Sequence, residues 1–143
     1  MVLNNRTIGE QLELGRIKVE MCDRPCLHPA ILDVHLDDKI LAFRNSRQLF
    51  FDVRKSQEER RGMVQVEGGR PSTLHPGEFM LGSMLESACL PADILARLEG
   101  KSALGRLGLL VHSTAGYIDR GWRGHLTLEL SNVANLPIPS ARA

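Results

Sequence analysis

Beyond Gly15 the apolar residues come in short runs that turn formers keep interrupting, which leaves room for many short strands and no long helix. The runs fall at 31–36, 40–43, 49–53, 78–85, 109–112 and 125–130. Between them lie Asp37-Asp38, Gly68-Gly69-Arg70-Pro71, His75-Pro76-Gly77 and Gly121. That spacing predicts an antiparallel sandwich or barrel. Ahead of it, Thr7-Ile8-Gly9-Glu10 reads as a capping box and predicts a helix starting there. Ile8 and Leu12 would share its buried face, and Gly15 would stop it. A chain of 143 residues is expected to form one domain, 1–143, large enough for a core of its own.

Charge narrows the partners. With 18 basic and 17 acidic side chains the formal net charge is +1, so no global field favours nucleic acid or an anionic membrane, and any phosphate recognition has to be local. The mixed charges of 54–62 (RKSQEERRG) suit a solvated loop. The start, Met1 to Arg6, lacks a charged-then-apolar layout, and no apolar run approaches the roughly 20 residues of a membrane span, so a soluble cytoplasmic protein is expected. Three cysteines form no disulfide framework. Cys22, Cys26 and His28 could be imagined as metal ligands, but Pro25 and Pro29 interrupt them and no second ligand pair follows, so no metal site is expected.

Two segments carry chemistry. In 97–106 (RLEGKSALGR), Gly100 and Gly105 bracket Lys101, Ser102, Ala103 and Leu104, with Arg106 beyond; backbone N–H groups, a hydroxyl and two cations could face a phosphate. The order is not that of a Walker loop, and a solvated basic turn is the alternative. In 125–130, strict alternation puts Leu126, Leu128 and Leu130 on one face and His125, Thr127 and Glu129 on the other. The polar face could bind a base edge and relay protons, or could be an ordinary half-exposed sheet face.

The whole run RLEGKSALGRLGLLVHSTAGYIDRGWRGHLTLELSNVANLPI (97–138), with HPGEFMLGSMLE (75–86) and more loosely PAILDVHL (29–36), resembles the dCTP deaminase family of the dUTPase-like superfamily. The resemblance implies an all-β, dUTPase-like β-clip fold, a distorted jelly-roll barrel with a short N-terminal helix. It also implies a homotrimer whose active sites lie between subunits. The activity implied is hydrolytic deamination of dCTP to dUTP. In some members dUTP is then hydrolysed to dUMP and diphosphate, and Ser113-Thr114-Ala115-Gly116-Tyr117 is similar to that dUMP-forming type, with Gly116 and Tyr117 the marks of bifunctionality. Lys101, Ser102, Ala103, Leu104, Gly105 and Arg106 would bind substrate, Ser102 and Arg106 also serving catalysis. Asp119 would meet the deoxyribose, Thr127 and Leu128 would offer backbone groups to the pyrimidine, and Glu129 would be the catalytic carboxyl. His112 and Ala115 would sense dTTP as a feedback inhibitor. Magnesium would arrive bound to the substrate triphosphate, and no zinc is expected, since H-x-E followed by P-C-x-x-C is absent.

The chain departs from the family in three places. Arg120 follows Asp119 where a proline is usual, and His35 stands where an arginine is usual. After Asn135-Leu136-Pro137-Ile138 the end, Pro139 to Ala143, is unlike the family's continuation, so the C-terminal end of the family domain is expected to be missing. A second reading follows: a truncated, inactive nucleotide-binding remnant, or an interaction module of the same fold.

Overall fold

The structure, a computed structural model, describes residues 2–20, 26–43, 54, 63–66 and 72–140. Among them a helix, α1 (Asn5–Glu13), precedes short strands: β1 (Lys18–Glu20), β2 (Cys26–Leu27), β3 (Leu32–Asp33), β4 (Leu36–Phe43), β5 (Met63–Val66), β6 (Ser72–Leu74), β7 (Phe79–Met84), β8 (Ser87–Cys89) and β9 (Ala96–Arg97). A one-turn helix, α2 (Ser102–Gly105), follows. The chain then runs through β10 (Leu109–Leu110), β11 (Tyr117–Ile118), β12 (Arg123–Gly124), β13 (Thr127–Asn132) and β14 (Ile138–Ser140). The strand expected at 49–53, the polar stretch 54–62 apart from Arg54, and the turn expected at 68–71 lie outside the described residues.

The largest sheet has the order β10-β13-β7-β4-β5, every pairing antiparallel. A three-stranded sheet, β1-β8-β12, and the ribbons β11-β9, β14-β6 and β2-β3 surround it. Alternation builds the core. In β7 Met80, Gly82 and Met84 point inward; in β13 Leu128, Leu130 and Asn132 do, and Met80 stands opposite Leu130 and Gly82 opposite Leu128. Ile40 and Leu74 complete the buried cluster, and Leu36, Leu98, Leu109 and Val111 pack against it. Gly82 makes room: a Cβ there would lie 2.6 Å from Leu36 Cδ1.

Two local expectations are corrected. The helix cap is Asn4, whose side chain accepts from Thr7 N–H at 2.9 Å, so Thr7 lies inside the helix. Asn is as strong a capping residue as Thr, and starting one turn earlier leaves Glu10 facing Arg6 at 3.7 Å. The stop is as expected, with Gly15 at φ +65 just past the C-cap Leu14. Asp37-Asp38, expected as a turn, lies within β4; the register shifts between Leu36 and Ile40, a bulge in an unbroken strand.

One close approach fixes the loop that follows α2. Gly108, at φ +87, donates nothing through a side chain and accepts at its carbonyl from Val133 N–H at 2.9 Å; a Cβ on it would stand 2.5 Å from Ala134 Cβ and 2.8 Å from Ala134 N. Both the conformation and the space demand glycine. Gly108→Ala is expected to lower the thermal unfolding midpoint by at least about 5 °C. Gly105→Ala, where a Cβ meets nothing within 4 Å, is expected to leave it unchanged or slightly raised.

Candidate active site

The alternation of β13 that buries Leu128 and Leu130 turns Glu129 to the opposite face, where it stands beside Leu81 of β7 and is half-buried. Its backbone N–H donates to Val111 O at 3.0 Å, and its Oε2 accepts from Ser113 N–H at 2.9 Å. The loop after β10 is thus clamped to Glu129 at two points. Oε1 takes no hydrogen bond among the described residues, so the carboxylate is held at one oxygen and open at the other.

Because Glu129 turns its N–H away from β7, Thr127, two residues earlier, turns its N–H and C=O to that same side. The β10 ladder reaches only Ser131 and Asn132, so among the described residues no strand beside Thr127 takes up these groups. Leu128 points the other way, into the ladder with Gly82, with its side chain in the core. Among the described residues, the Thr127 backbone groups thus lie off the ladder, whereas those of Leu128 lie within it.

Lys101, Ser102, Ala103, Gly105 and Arg106 are exposed on and around α2, and Leu104 is half-buried. Lys101 occupies the N-cap position with extended backbone and makes no cap bond with its side chain, which instead puts Nζ 2.8 Å from Asp33 Oδ2 on β3. His28 Nε2 approaches the same oxygen at 3.3 Å. The Lys101 hydrogen bond first, against the effect of partial burial, holds the Asp33 carboxyl below its ordinary range. Arg106 makes no ion pair among the described residues. No hydrogen bond or ion pair among them joins Lys101, Ser102 or Arg106 to Glu129.

The remaining candidates lie along 112–122. Gly116 accepts at its carbonyl from Leu98 N–H at 2.7 Å, and a Cβ on it would stand 3.1 Å from His112 Cδ2 and Nε2. Its φ is not positive, so what this glycine supplies is space for the His112 ring. His112 Nδ1 is buried and has no partner among the described residues. Ala115 is exposed nearby. Tyr117 is exposed, with the Arg97 guanidinium 5.6 Å from its ring centre and Arg97 Nε 2.6 Å from Glu99. Asp119 opens a turn: its carbonyl accepts from Trp122 N–H at 3.2 Å, Gly121 follows at φ +74, and its carboxylate faces solvent. Among the described residues no group of three or more His, Cys, Asp or Glu could hold a metal ion, and no helix is long and apolar enough to cross a membrane.

Residue-by-residue reading missed three polar anchors. Glu86 is 0% exposed; it accepts from His35 N–H at 2.9 Å and its Oε1 lies 2.7 Å from His35 Nδ1. Histidine in the place of the usual arginine has thus found a partner. Asn132, 1% exposed, donates to Leu74 O and Leu136 O and accepts from Ala134 N–H, binding β6 and the loop after β13 together. The signal was parity: Glu86 continues the inward series 80, 82, 84, and Asn132 the series 128, 130. Asp33 is the third, and nothing in its local sequence marks it as Lys101's partner.

A sheet of short antiparallel strands with a small N-terminal helix, carrying a half-tethered carboxyl on one strand and a glycine-bracketed basic turn elsewhere in the chain, has the dUTPase-like β fold. A 2'-deoxycytidine 5'-triphosphate deaminase from Agrobacterium tumefaciens has a similar structure, with a TM-score of 0.73 and 26% identity, covering 98% of this chain and 44% of that one. The chain belongs to the dCTP deaminase-like family, whose model matches residues 2–139. It is 51% identical over 138 residues to the dUMP-forming dCTP deaminase of Mycobacterium avium, covering 96% of this chain and 73% of that protein. The dUMP-forming dCTP deaminase of Rhodococcus opacus is equally similar, at 51% over 138 residues.

The buried Glu86 carboxylate depends on the two donors of His35, one backbone and one ring. Glu86→Ala leaves the His35 N–H without its acceptor and opens a hole, and is expected to cost about 3 kcal/mol. His35→Ala keeps the backbone donor and is expected to cost about half as much. Urea unfolding of the two variants measures the order, which reverses if leaving the buried Glu86 carboxylate without its ring donor costs more than removing it.

Proposed function

We propose that this chain deaminates dCTP hydrolytically to dUTP and ammonia, and then hydrolyses dUTP to dUMP and diphosphate. The observation that carries the reading is Glu129: one oxygen held by Ser113 N–H, the other without a bond among the described residues, on a strand whose Thr127 backbone groups lie along the same edge as the Glu129 N–H. A single carboxyl so placed takes a proton from water as its oxygen adds to C4 of the pyrimidine. It passes that proton to ring N3, then takes the proton of the new C4 hydroxyl and passes it to the 4-amino group, so that the C4 carbonyl forms as the C4–N bond breaks and ammonia leaves. Thr127 C=O accepts from the 4-amino group and its N–H donates to an acceptor on the pyrimidine edge. Lys101, Ser102 and Arg106, with the backbone of 103–105, hold the triphosphate, Arg106 through its planar fork, and Ser102 places a water. Asp119 meets the deoxyribose. Magnesium comes with the triphosphate, coordinated by its oxygens and by water rather than by a protein cage, and no zinc takes part.

The second step is supported by the names of the relatives and by Gly116, whose bare backbone lets His112 and the loop up to Tyr117 pack closely. His112 and Ala115 respond to dTTP. Among the described residues no hydrogen bond or ion pair joins Glu129 to the basic turn, which supports a homotrimer whose sites draw Glu129 from one subunit and α2 from its neighbour. The face of the main sheet that carries Glu129 also carries Leu41, Leu81, Phe79 and Leu110, apolar and incompletely covered, as a subunit interface requires. A cytoplasmic location fits this chemistry.

Incubation with dCTP and magnesium is expected to release ammonia and yield dUMP with diphosphate. Glu129→Gln keeps an acceptor for Ser113 N–H but carries no proton, and is expected to lower kcat at least about a hundredfold with little change in nucleotide binding. Ammonia release that survives this substitution would remove Glu129 from the chemistry, and dUTP as the sole nucleotide product would confine the chain to deamination.

A further inference from the structure

We propose that Asp33, on the far side of the sequence from α2, is the positioning residue of Lys101, holding its ammonium ready for the substrate triphosphate. The inference rests on the reading of Lys101 as a phosphate ligand given above.

An ammonium on four methylenes is the least pre-oriented of cationic side chains, and a ligand that has to order it loses affinity to that ordering. Lys101 follows Gly100, which packs against Val111, and opens a helix of a single turn without a cap bond from its side chain. Asp33 supplies what these elements do not. Its Oδ2 lies 2.8 Å from Lys101 Nζ, and its side chain is only 16% exposed, so the carboxylate is a fixed point in the fold. The lysine side chain is 62% exposed, so an anion can reach the ammonium that Asp33 holds.

A carboxylate this close to a phosphate site could instead repel the substrate. Two observations weigh against that. His28 Nε2 stands 3.3 Å from the same Oδ2, so the charge of Asp33 is shared between two cationic or donor groups. The site is also open to solvent, where screening weakens longer-range repulsion but leaves the direct contact to Lys101 in place. Orientation therefore outweighs repulsion. Asp33 lies on β3, paired with β2 through Cys26, so the tether links the basic turn to a ribbon that takes no other part in the site.

Three measurements test this with the full chain. Asp33→Asn removes the charge and keeps the shape; it is expected to raise KM for dCTP about five- to tenfold with kcat within about twofold, the split for lost ground-state binding. Lys101→Met is expected to raise KM at least as far, and adding Asp33→Asn to it to change KM no further. An equal rise from Asp33→Asn in both backgrounds would overturn the proposal, since Asp33 would then act without Lys101. Independently of nucleotide, a proton–nitrogen spectrum selective for lysine ammonium groups is expected to show a slowly exchanging Lys101 signal that Asp33→Asn abolishes. Its absence from the unsubstituted chain would overturn the tether itself. Ammonia release by the unsubstituted chain reports separately on the function on which the inference rests.

Discussion

The pairing of β7 with β13 sets the position of everything that matters here. Met80 opposite Leu130 and Gly82 opposite Leu128 place two inward series in contact, and the main apolar cluster is built on them. Because side chains alternate along a strand, the same register that buries Leu128 and Leu130 sends Glu129 to the other face. A slip of one residue would bury the carboxyl and expose the leucines. The core thereby specifies where the proposed proton carrier stands, before any contact of its own is made.

Around that pairing, polar anchors hold the loops. Ser113 N–H and Val111 O bind Glu129, Gly108 meets Ala134 at a distance that no side chain allows, and Asn132 gathers β6 and the loop after β13. Asp33 and Glu86 reach in from the other direction, one toward Lys101 and one toward His35. The elements proposed to meet substrate are therefore held by hydrogen bonds and ion pairs to residues distant in sequence, while Lys101, Ser102 and Arg106 remain exposed.

The fold class was legible in the sequence because short apolar runs and turn formers leave few alternatives, and the alternation of 125–130 gave the orientation of Glu129 directly. The resemblance of 97–138 identified the family. Less legible was anything set by partners distant in sequence. The helix began at Asn4 rather than Thr7 because two good capping residues compete within one turn. Asp37-Asp38 became a bulge because the sheet on both sides of β4 kept the strand continuous. Leu128 could be seen to face the core, but which backbone groups its strand leaves unpaired depended on where β10 ends. Lys101's partner lies on a ribbon that no local pattern connects to it.

The proposed site joins Glu129 of one subunit to the basic turn of the next, and subunit mixing tests that claim most directly. Glu129→Gln and Arg106→Ala, each inactive alone, are to be co-expressed and assembled together. If sites are shared, random mixed trimers hold one intact site for about every four, and deamination of dCTP returns to roughly a quarter of the unsubstituted rate. If each site lies within a single chain, no intact site can form, and an inactive mixture of well-folded trimers would contradict the account.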